Sequence, residues 1–189
     1  TGWINCGTYR VMIHDEKRVA LYISPGKHGR IHRDKYMAKG EPMPVCIVVG
    51  TDPLSFLTSS TEAPEGMCEL DMMGAYRGHA IECVTGKHTG LPFPAASEVV
   101  IEGFIHPGNT APEGPFGEWL GYQGGRMEAE PWVDISAIYH RNDPILLGAA
   151  HIRLPYEYAR YRAISRSAIL KENIARAGVP DVTEVWAHE

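Results

Sequence analysis

Long hydrophobic runs are missing from this chain. The longest unbroken apolar stretch, Val45 to Val49, is strand-sized, far short of the roughly 20 residues a membrane-spanning helix needs. Basic clusters interleaved with aromatics are also absent, and the net charge is −5, which argues against nucleic acid as a partner. Cysteine is scarce. Cys6, Cys46, Cys68 and Cys83 include no C-x-x-C, so no zinc ribbon is encoded, and the four read as reduced, mostly buried thiols of a cytoplasmic protein, with a disulfide pair as the alternative. The N-terminus carries no secretory pattern, and there is no internal repeat. Neither end looks natural: Thr1-Gly-Trp opens without Met, and Val185-Trp-Ala-His188 stops inside apolar sequence. Both ends read as cut from something longer.

What is present is enough for one domain with a proper core and a small appendage: 189 residues, 44% hydrophobic and 22% charged. Tyr9 to Asp15 and Arg18 to Ser24 read as a hairpin around Asp15-Glu16-Lys17. Lys27 to Ala38 is polar and basic, and reads as a loop running into a short helix. Met43 to Gly50 is a buried strand. Asp52 caps a helix over Pro53 to Ser59, with Pro at the first helical position. Gly66 to Tyr76 is a short helix, and His79 to Lys87 alternates as a strand. Glu98 to His106 is a strand, Asn109 to Gly117 a loop, Pro131 to His140 a strand, and Ile145 to Gly148 a short one. Gln123 to Arg126 is a flexible connection. Tyr156 to Ala177 is an amphipathic helix stopped by Gly178 and Pro180. The sum is an α+β fold on a mostly antiparallel sheet or barrel, with an exit helix.

Four places carry polar groups that packing would not request. Asn5-Cys-Gly-Thr-Tyr-Arg10 offers an amide oxygen, a glycine for close backbone approach and an Arg fork for a carboxylate; a turn with an exposed Arg is the alternative. Lys27, His28, Arg30 and His32 follow a tight turn and suit an anion cradle or a metal ligand, or a solvated loop. Glu65 and Glu69 share a helix face, with Asp71 pointing elsewhere, which an acidic helix start explains equally well. Finally, Glu113 and Glu118 flank Gly114-Pro-Phe-Gly117, a stiff segment that holds two acids as an acid–base site would, or as a solvated turn would. An amide oxygen, an imidazole and a carboxylate together suit Mn²⁺ or Mg²⁺ better than structural Zn²⁺.

Asn5-x-Gly-x-x-Arg10, Pro25-Gly-Lys-His28, Pro64-Glu-Gly-x-x-Glu69-x-Asp71 and Glu113-Gly-Pro-Phe-Gly-Glu118 occur in this order and at these distances in the UbiD family, which the chain resembles from Asn5 to Glu118. The family comprises reversible (de)carboxylases that use prenylated FMN. The resemblance implies a split β-barrel of the flavin-reductase type over residues 1–152, and a connecting helix over 153–189 leading to a C-terminal domain not included. Asn5, His28 and Glu69 match the ligands of a divalent ion, Mn²⁺ or Mg²⁺, at the flavin phosphate. Trp3, Thr58, Ser59 and Thr61 match positions around a K⁺ ion. Asn5, Cys6, Gly7, Thr8, Tyr9, Arg10, Lys27, His28 and Glu69 match segments that hold the cofactor.

Arg10, Glu113 and Glu118 match the family's catalytic Glu-Arg-Glu set, with Glu118 as proton donor and Arg10 keeping Glu113 charged. Decarboxylation of an unsaturated or aromatic acid leaves carbanion density that protein side chains accommodate poorly, hence the need for a cofactor sink. Partners implied are a small carboxylic acid and CO₂, a prenyl transferase that supplies the cofactor, and further copies of the full-length protein in a homo-oligomer. Tyr9, Met12, Trp119 and Tyr122 are candidate pocket walls. Two other readings stand beside this one. One is a non-catalytic flavin- or metal-binding subunit of a larger assembly. The other is a metal-dependent hydrolase using His28, His32 and Glu69.

Overall fold

The computed structural model describes residues 2–61, 63–117, 123–124, 128–148 and 157–188. They divide into two compact units. The first comprises Thr1–Pro115 with Gly125–Leu147, the second Phe116–Gly124 with Gly148–Glu189.

The first unit is built on a five-stranded antiparallel sheet. Strands β1 (Arg10–Ile13) and β2 (Arg18–Tyr22) form the expected hairpin, with Arg10 opposite Tyr22 and Ile13 opposite Val19. Asp15 organises the turn by accepting from the Lys17 amide at 2.9 Å and from Arg18 Nε at 2.8 Å. Helix α1 (His28–Lys39) and strand β3 (Met43–Val49) follow. The segment read as a loop running into a short helix is helical already from His28. Its few apolar residues hide the period, but its ends are well made. Lys27 is extended, Gly40 is left-handed, and the Gly40 and Glu41 amides return to Met37 O and Tyr36 O at 3.0 Å each. Helix α2 (Pro53–Ser59) begins as expected, the Asp52 carboxylate accepting from the Ser55 amide at 3.2 Å. Helix α3 (Glu69–Arg77) comes next. The strand expected over His79 to Lys87 contracts to β4 (Cys83–Thr85), paired with β5 (Pro92–Pro94).

Two long strands complete the sheet: β6 (Val99–Glu113) and, beyond the second unit's hairpin, β9 (Glu128–His140). The order is β1-β2-β9-β6-β3, and β1 and β3 are the ends, with no pairing between them among the described residues. The antiparallel sheet and flanking helices match expectation. Strand β6 does not. It continues through the expected loop as far as Glu113, which lies opposite Glu128, with register shifts at Glu102/Gly103 and between Ile105 and Thr110. Its prolines are tolerated for a geometric reason. Pairing with β3 stops at Ile105; Pro107 falls in the register break before Thr110, and Pro112 lies where β9 alone among the described strands is paired with β6.

The core is Val19, Leu21, Ile23, Met43, Ile105 and Val133, all buried, with Tyr36 and Met37 of α1 packed against it. Gly103 sits in this sheet because a Cβ there would approach Asp134 O to 2.2 Å. Ile145 to Leu147 form no strand and are exposed.

In the second unit, β7 (Phe116–Gly117) pairs with β8 (Gln123–Gly124), so part of the expected flexible connection is a strand. Helix α4 (Glu157–Arg176) is followed by a tail that returns along it, the Ala187 amide donating to Ser167 Oγ at 2.9 Å. Gly178 ends the helix with φ 76°. No helix among the described residues is long and apolar enough to cross a membrane.

Candidate functional site

The Asn5–Arg10 segment enters β1 and meets three other pieces of the first unit. At its far end Arg10 reaches Glu113, the last residue of β6. Arg10 Nε donates to Glu113 Oε1 at 3.1 Å and Nη2 to Oε2 at 2.5 Å, the bidentate fork that guanidinium and carboxylate geometries favour. The two partners are unequally placed: the Glu113 side chain is 1% exposed and that of Arg10 39%. The Arg10 guanidinium also lies 4.6 Å from the centre of the Tyr22 ring, directly across the hairpin. Beside them the Gly114 amide points at Met12 Sδ, 3.4 Å away. Glu118, Trp119 and Tyr122 lie outside the described residues.

At its near end the segment closes on Glu69, the first residue of α3, which is 2% exposed. Asn5 Nδ2 donates to Glu69 Oε1 at 2.9 Å and the Cys6 amide to Oε2 at 2.7 Å. His28 Nδ1 stands 3.8 Å from Oε1, longer than a hydrogen bond. The Tyr9 hydroxyl donates to Asn5 Oδ1 at 2.7 Å and accepts from the Gly29 amide at 3.1 Å. Burial pushes the Tyr9 phenol above its ordinary pKa; the Gly29 N–H opposes this and the charge of Glu69 adds to it. Two glycines make room for the ring. A Cβ on Gly7 or on Gly29 would come within 2.6 Å of Tyr9 atoms.

Asn5, Gly7, Thr8 and Tyr9 line two cavities. One, of about 220 Å³, is completed by Lys27, His28, Ser59, Thr61 and Glu69. The other, of about 340 Å³, is walled mainly by apolar residues such as Val45, Ile47, Phe56 and Met73. Lys27 is the extended N-cap of α1, which has no acidic residue in its first turn, so the helix end and the lysine bring positive potential to the smaller cavity.

Of the remaining expected residues, Trp3 packs edge-on against His28 and His32 at 5.1 and 4.5 Å, its indole N–H bound to Met67 O. Thr58 is buried, its hydroxyl given to Leu54 O at 2.8 Å. Cys6 presents its amide rather than its thiol, which burial, then Cys68 and Glu69, push up to about 12. All four thiols are free, and Cys83 is exposed, contrary to expectation for a mostly buried set. No group of three or more His, Cys, Asp or Glu is placed to hold a metal among the described residues. The hydrolase reading with His28, His32 and Glu69 draws no support from this arrangement. His32 lies edge-on to Trp3, its buried Nε2 without a hydrogen-bond partner among the described residues.

One carboxylate went unnoticed in the sequence. Glu102 of β6 is 0% exposed. It accepts from the His88 amide (2.8 Å), the Thr89 amide (2.6 Å), the Thr89 hydroxyl (2.7 Å) and the Tyr139 hydroxyl (2.7 Å). Burial alone would raise its pKa; the Thr89 amide, the Tyr139 and Thr89 hydroxyls and the His88 amide outweigh it and hold it at about 2. Its signal was available: one acid inside the apolar run Val99-Val-Ile-Glu-Gly-Phe-Ile105.

The UbiD family model, described as the 3-octaprenyl-4-hydroxybenzoate carboxy-lyase Rift-related domain, matches residues 1–153. An uncharacterized Synechocystis sp. protein is 33% identical over 98% of this chain and 36% of its own length. An evolved dimeric form of the UbiD-class enzyme HmfF from Pelotomaculum thermopropionicum, solved in complex with prFMN, is 30% identical with a TM-score of 0.82, over 95% of this chain and 41% of that one. The vanillic acid decarboxylase of Sedimentibacter hydroxybenzoicus, in its closed form, is 30% identical with a TM-score of 0.83, over 94% and 37%. The chain thus spans about 36–41% of the length of these relatives. Since the family model runs across the Asn5–Arg10 segment and both carboxylates that it gathers, the chain belongs to the UbiD family.

Proposed function

We propose that this chain carries the cofactor-binding part of a non-oxidative, reversible decarboxylase acting on an aromatic, heteroaromatic or α,β-unsaturated carboxylic acid with prenylated FMN. The observation that carries this reading is the Arg10–Glu113 fork, formed by residues 103 apart in sequence at the mouth of one sheet, on the same short segment that reaches Glu69. Relatives solved with prFMN and acting on vanillic acid support the cofactor and substrate class.

Bound prenylated FMN supplies the electron sink that amino-acid side chains lack. The chain's own groups do the rest. Arg10 holds Glu113 through its bidentate fork, and its part-exposed face orients the substrate carboxylate. Glu118 carries the proton delivered to the carbon that CO₂ leaves, the opposed protonation states that acid–base pairs need. The α1 N-terminus and Lys27, which line the smaller cavity with Gly7 and Thr8, would hold the cofactor phosphate.

The residues around Glu69 fit a divalent ion, Mn²⁺ or Mg²⁺. A buried carboxylate, an amide and an imidazole converge, and their donor chemistry suits a hard or borderline cation. The ion would be held by Asn5, His28 and Glu69. Backbone oxygens near Trp3, Thr58, Ser59 and Thr61 would take K⁺. In the same reading the sheet is part of a split barrel, residues 1–152 form the core, and 153–189 lead to a further domain of a cytoplasmic homo-oligomer.

The test uses the full-length protein co-produced with a flavin prenyl transferase and offered a panel of aromatic and acrylic acids. CO₂ release from at least one acid is expected; a loaded enzyme inert toward the whole panel overturns the reading. Glu118→Gln should abolish turnover and keep the bound flavin's absorption; unchanged turnover removes Glu118 as the acid.

A further inference from the structure

Hydrogen-bond directions around Asn5 form one unbroken chain. The Gly29 N–H donates to Tyr9 Oη, so the Tyr9 proton is left to donate, and it goes to Asn5 Oδ1. That fixes the amide with Nδ2 turned to Glu69 Oε1, where it donates. The arrangement is fully satisfied without a cation, since neither Asn5 nor Glu69 has an orphaned polar atom among the described residues. It is also the wrong way round for one. A cation on Glu69 would face the N–H₂ edge of the amide, and only the oxygen edge can ligate.

Turning the amide over puts Oδ1 toward Glu69 and Nδ2 toward Tyr9. A fixed donor or a fixed acceptor at that spot would oppose one of the two states. A hydroxyl opposes neither, because it donates in one and accepts in the other. With the amide reversed, Tyr9 Oη accepts from both the Gly29 N–H and Asn5 Nδ2, and its own proton points away. The ring cannot drift, being wedged against Gly7 and Gly29, where even a Cβ would collide at 2.6 Å.

We propose that Tyr9 is the positioning residue of the metal site, its hydroxyl a reversible partner that holds the Asn5 amide oxygen-away in the metal-free protein and oxygen-inward in the loaded one. The inference rests on the divalent-ion site proposed above. The chemical class recognised is a hard divalent cation, and Tyr9 acts on it only through Asn5.

Mn²⁺ alone, titrated into the full-length protein and followed by the loss of the free-ion EPR signal, tests this with four proteins: wild type, Tyr9→Phe, Asn5→Asp and the double variant. Without the hydroxyl the metal-free amide is free to turn to another partner, whereas the ligating amide is held with Nδ2 against a ring that no longer accepts, so Tyr9→Phe should weaken Mn²⁺ binding about 10–100-fold. Asp has two equivalent oxygens and needs no orienting, so Tyr9→Phe in the Asn5→Asp background should change affinity less than about twofold. Equal binding by wild type and Tyr9→Phe overturns the inference while leaving the metal site standing. So does an undiminished loss in the Asn5→Asp background, which would make Tyr9 a packing residue. No Mn²⁺ binding by wild type overturns the metal site and the inference with it. Crystal structures of the wild type with and without Mn²⁺ need no variant. Tyr9 Oη should stay within hydrogen-bond distance of Asn5 in both, and departure from Asn5 in the loaded form overturns the proposal.

Discussion

Strand β6 carries two glutamates that are almost equally hidden from water and that do opposite things. Glu102 and Glu113 are 0% and 2% exposed. Glu102 is closed off on every side: two amides and two hydroxyls of its own chain occupy its oxygens, and the β4–β5 connection is wrapped around it so closely that a Cβ on Gly86 would approach Oε1 to 2.3 Å. Among the described residues Glu113 is held by Arg10, whose side chain is 39% exposed. Burial therefore does not distinguish a structural carboxylate from a site carboxylate. What distinguishes them is how much of each carboxylate the chain's own donors already occupy. A carboxylate held by four donors on both oxygens is a fastening. One held by a single guanidinium that is itself part-exposed is within reach of a substrate.

The comparison breaks most visibly in turnover. In the loaded full-length enzyme, Arg10→Ala should lower kcat/KM about 10²–10⁴-fold, the range of a lost acid–base contribution, with Arg10→Lys recovering little because an ammonium cannot fork. Glu102→Gln should leave kcat within a few-fold on whatever fraction folds. A loss for Glu102→Gln as deep as that for Arg10→Ala would erase the distinction.

Stability gives the next largest effect. Glu102→Gln leaves some of four donors unmet, a cost of about 2–3 kcal/mol at pH 7. Urea unfolding should show it shrinking with acid. The folded pKa of Glu102 lies near 2, below the ordinary value, so its charge-dependent stabilisation is complete above the unfolded carboxylate's titration and fades as pH falls toward 2. Variant and wild type should therefore converge at the acid end; a gap that stays constant from pH 7 to pH 2.5 contradicts the ionised state.

Arg10→Ala strands a buried charge at Glu113 and should cost about 2 kcal/mol, less than a fully buried pair because Arg10 is half in water. Adding Glu113→Gln should restore most of it, read as recovery of the urea midpoint.

The smallest effect is chemical. With a disulfide reagent near pH 8, exposed Cys83 should label first. Cys6, whose thiol is held near 12, should label only on unfolding. Early labelling of Cys6 would mean that the segment between the two cavities opens.

Much of this fold was legible. Alternation gave the hairpin around Asp15, the apolar run gave β3, and Asp52-Pro53 marked the start of α2, because each is a local signal with a local cause. The errors share a different origin. Helix α1 was expected only after a loop: its polar first turns show no period, and the core contacts of Tyr36 and Met37 lie in no window of sequence. Strand β6 outruns the expected strand past its prolines, and the sheet order gives the reason: among the described residues no strand pairs with their other side. The Arg10–Glu113 pair came from motif resemblance, since their separation leaves no periodicity to read. Tyr9 was noted as a neighbour of the site but not as its hinge, because hydrogen-bond direction does not exist until three chain segments meet.

The wedge of Tyr9 between Gly7 and Gly29 also has an evolutionary consequence. Positions 7, 9 and 29 fill one volume, so they can change only as a set. A lineage that trades the tyrosine for a small residue gains freedom for side chains at 7 and 29 and must find another partner for Asn5. One that keeps it is bound to glycine at both. Sequence divergence around this segment should therefore proceed in coordinated steps, each redrawing the wall between the two cavities.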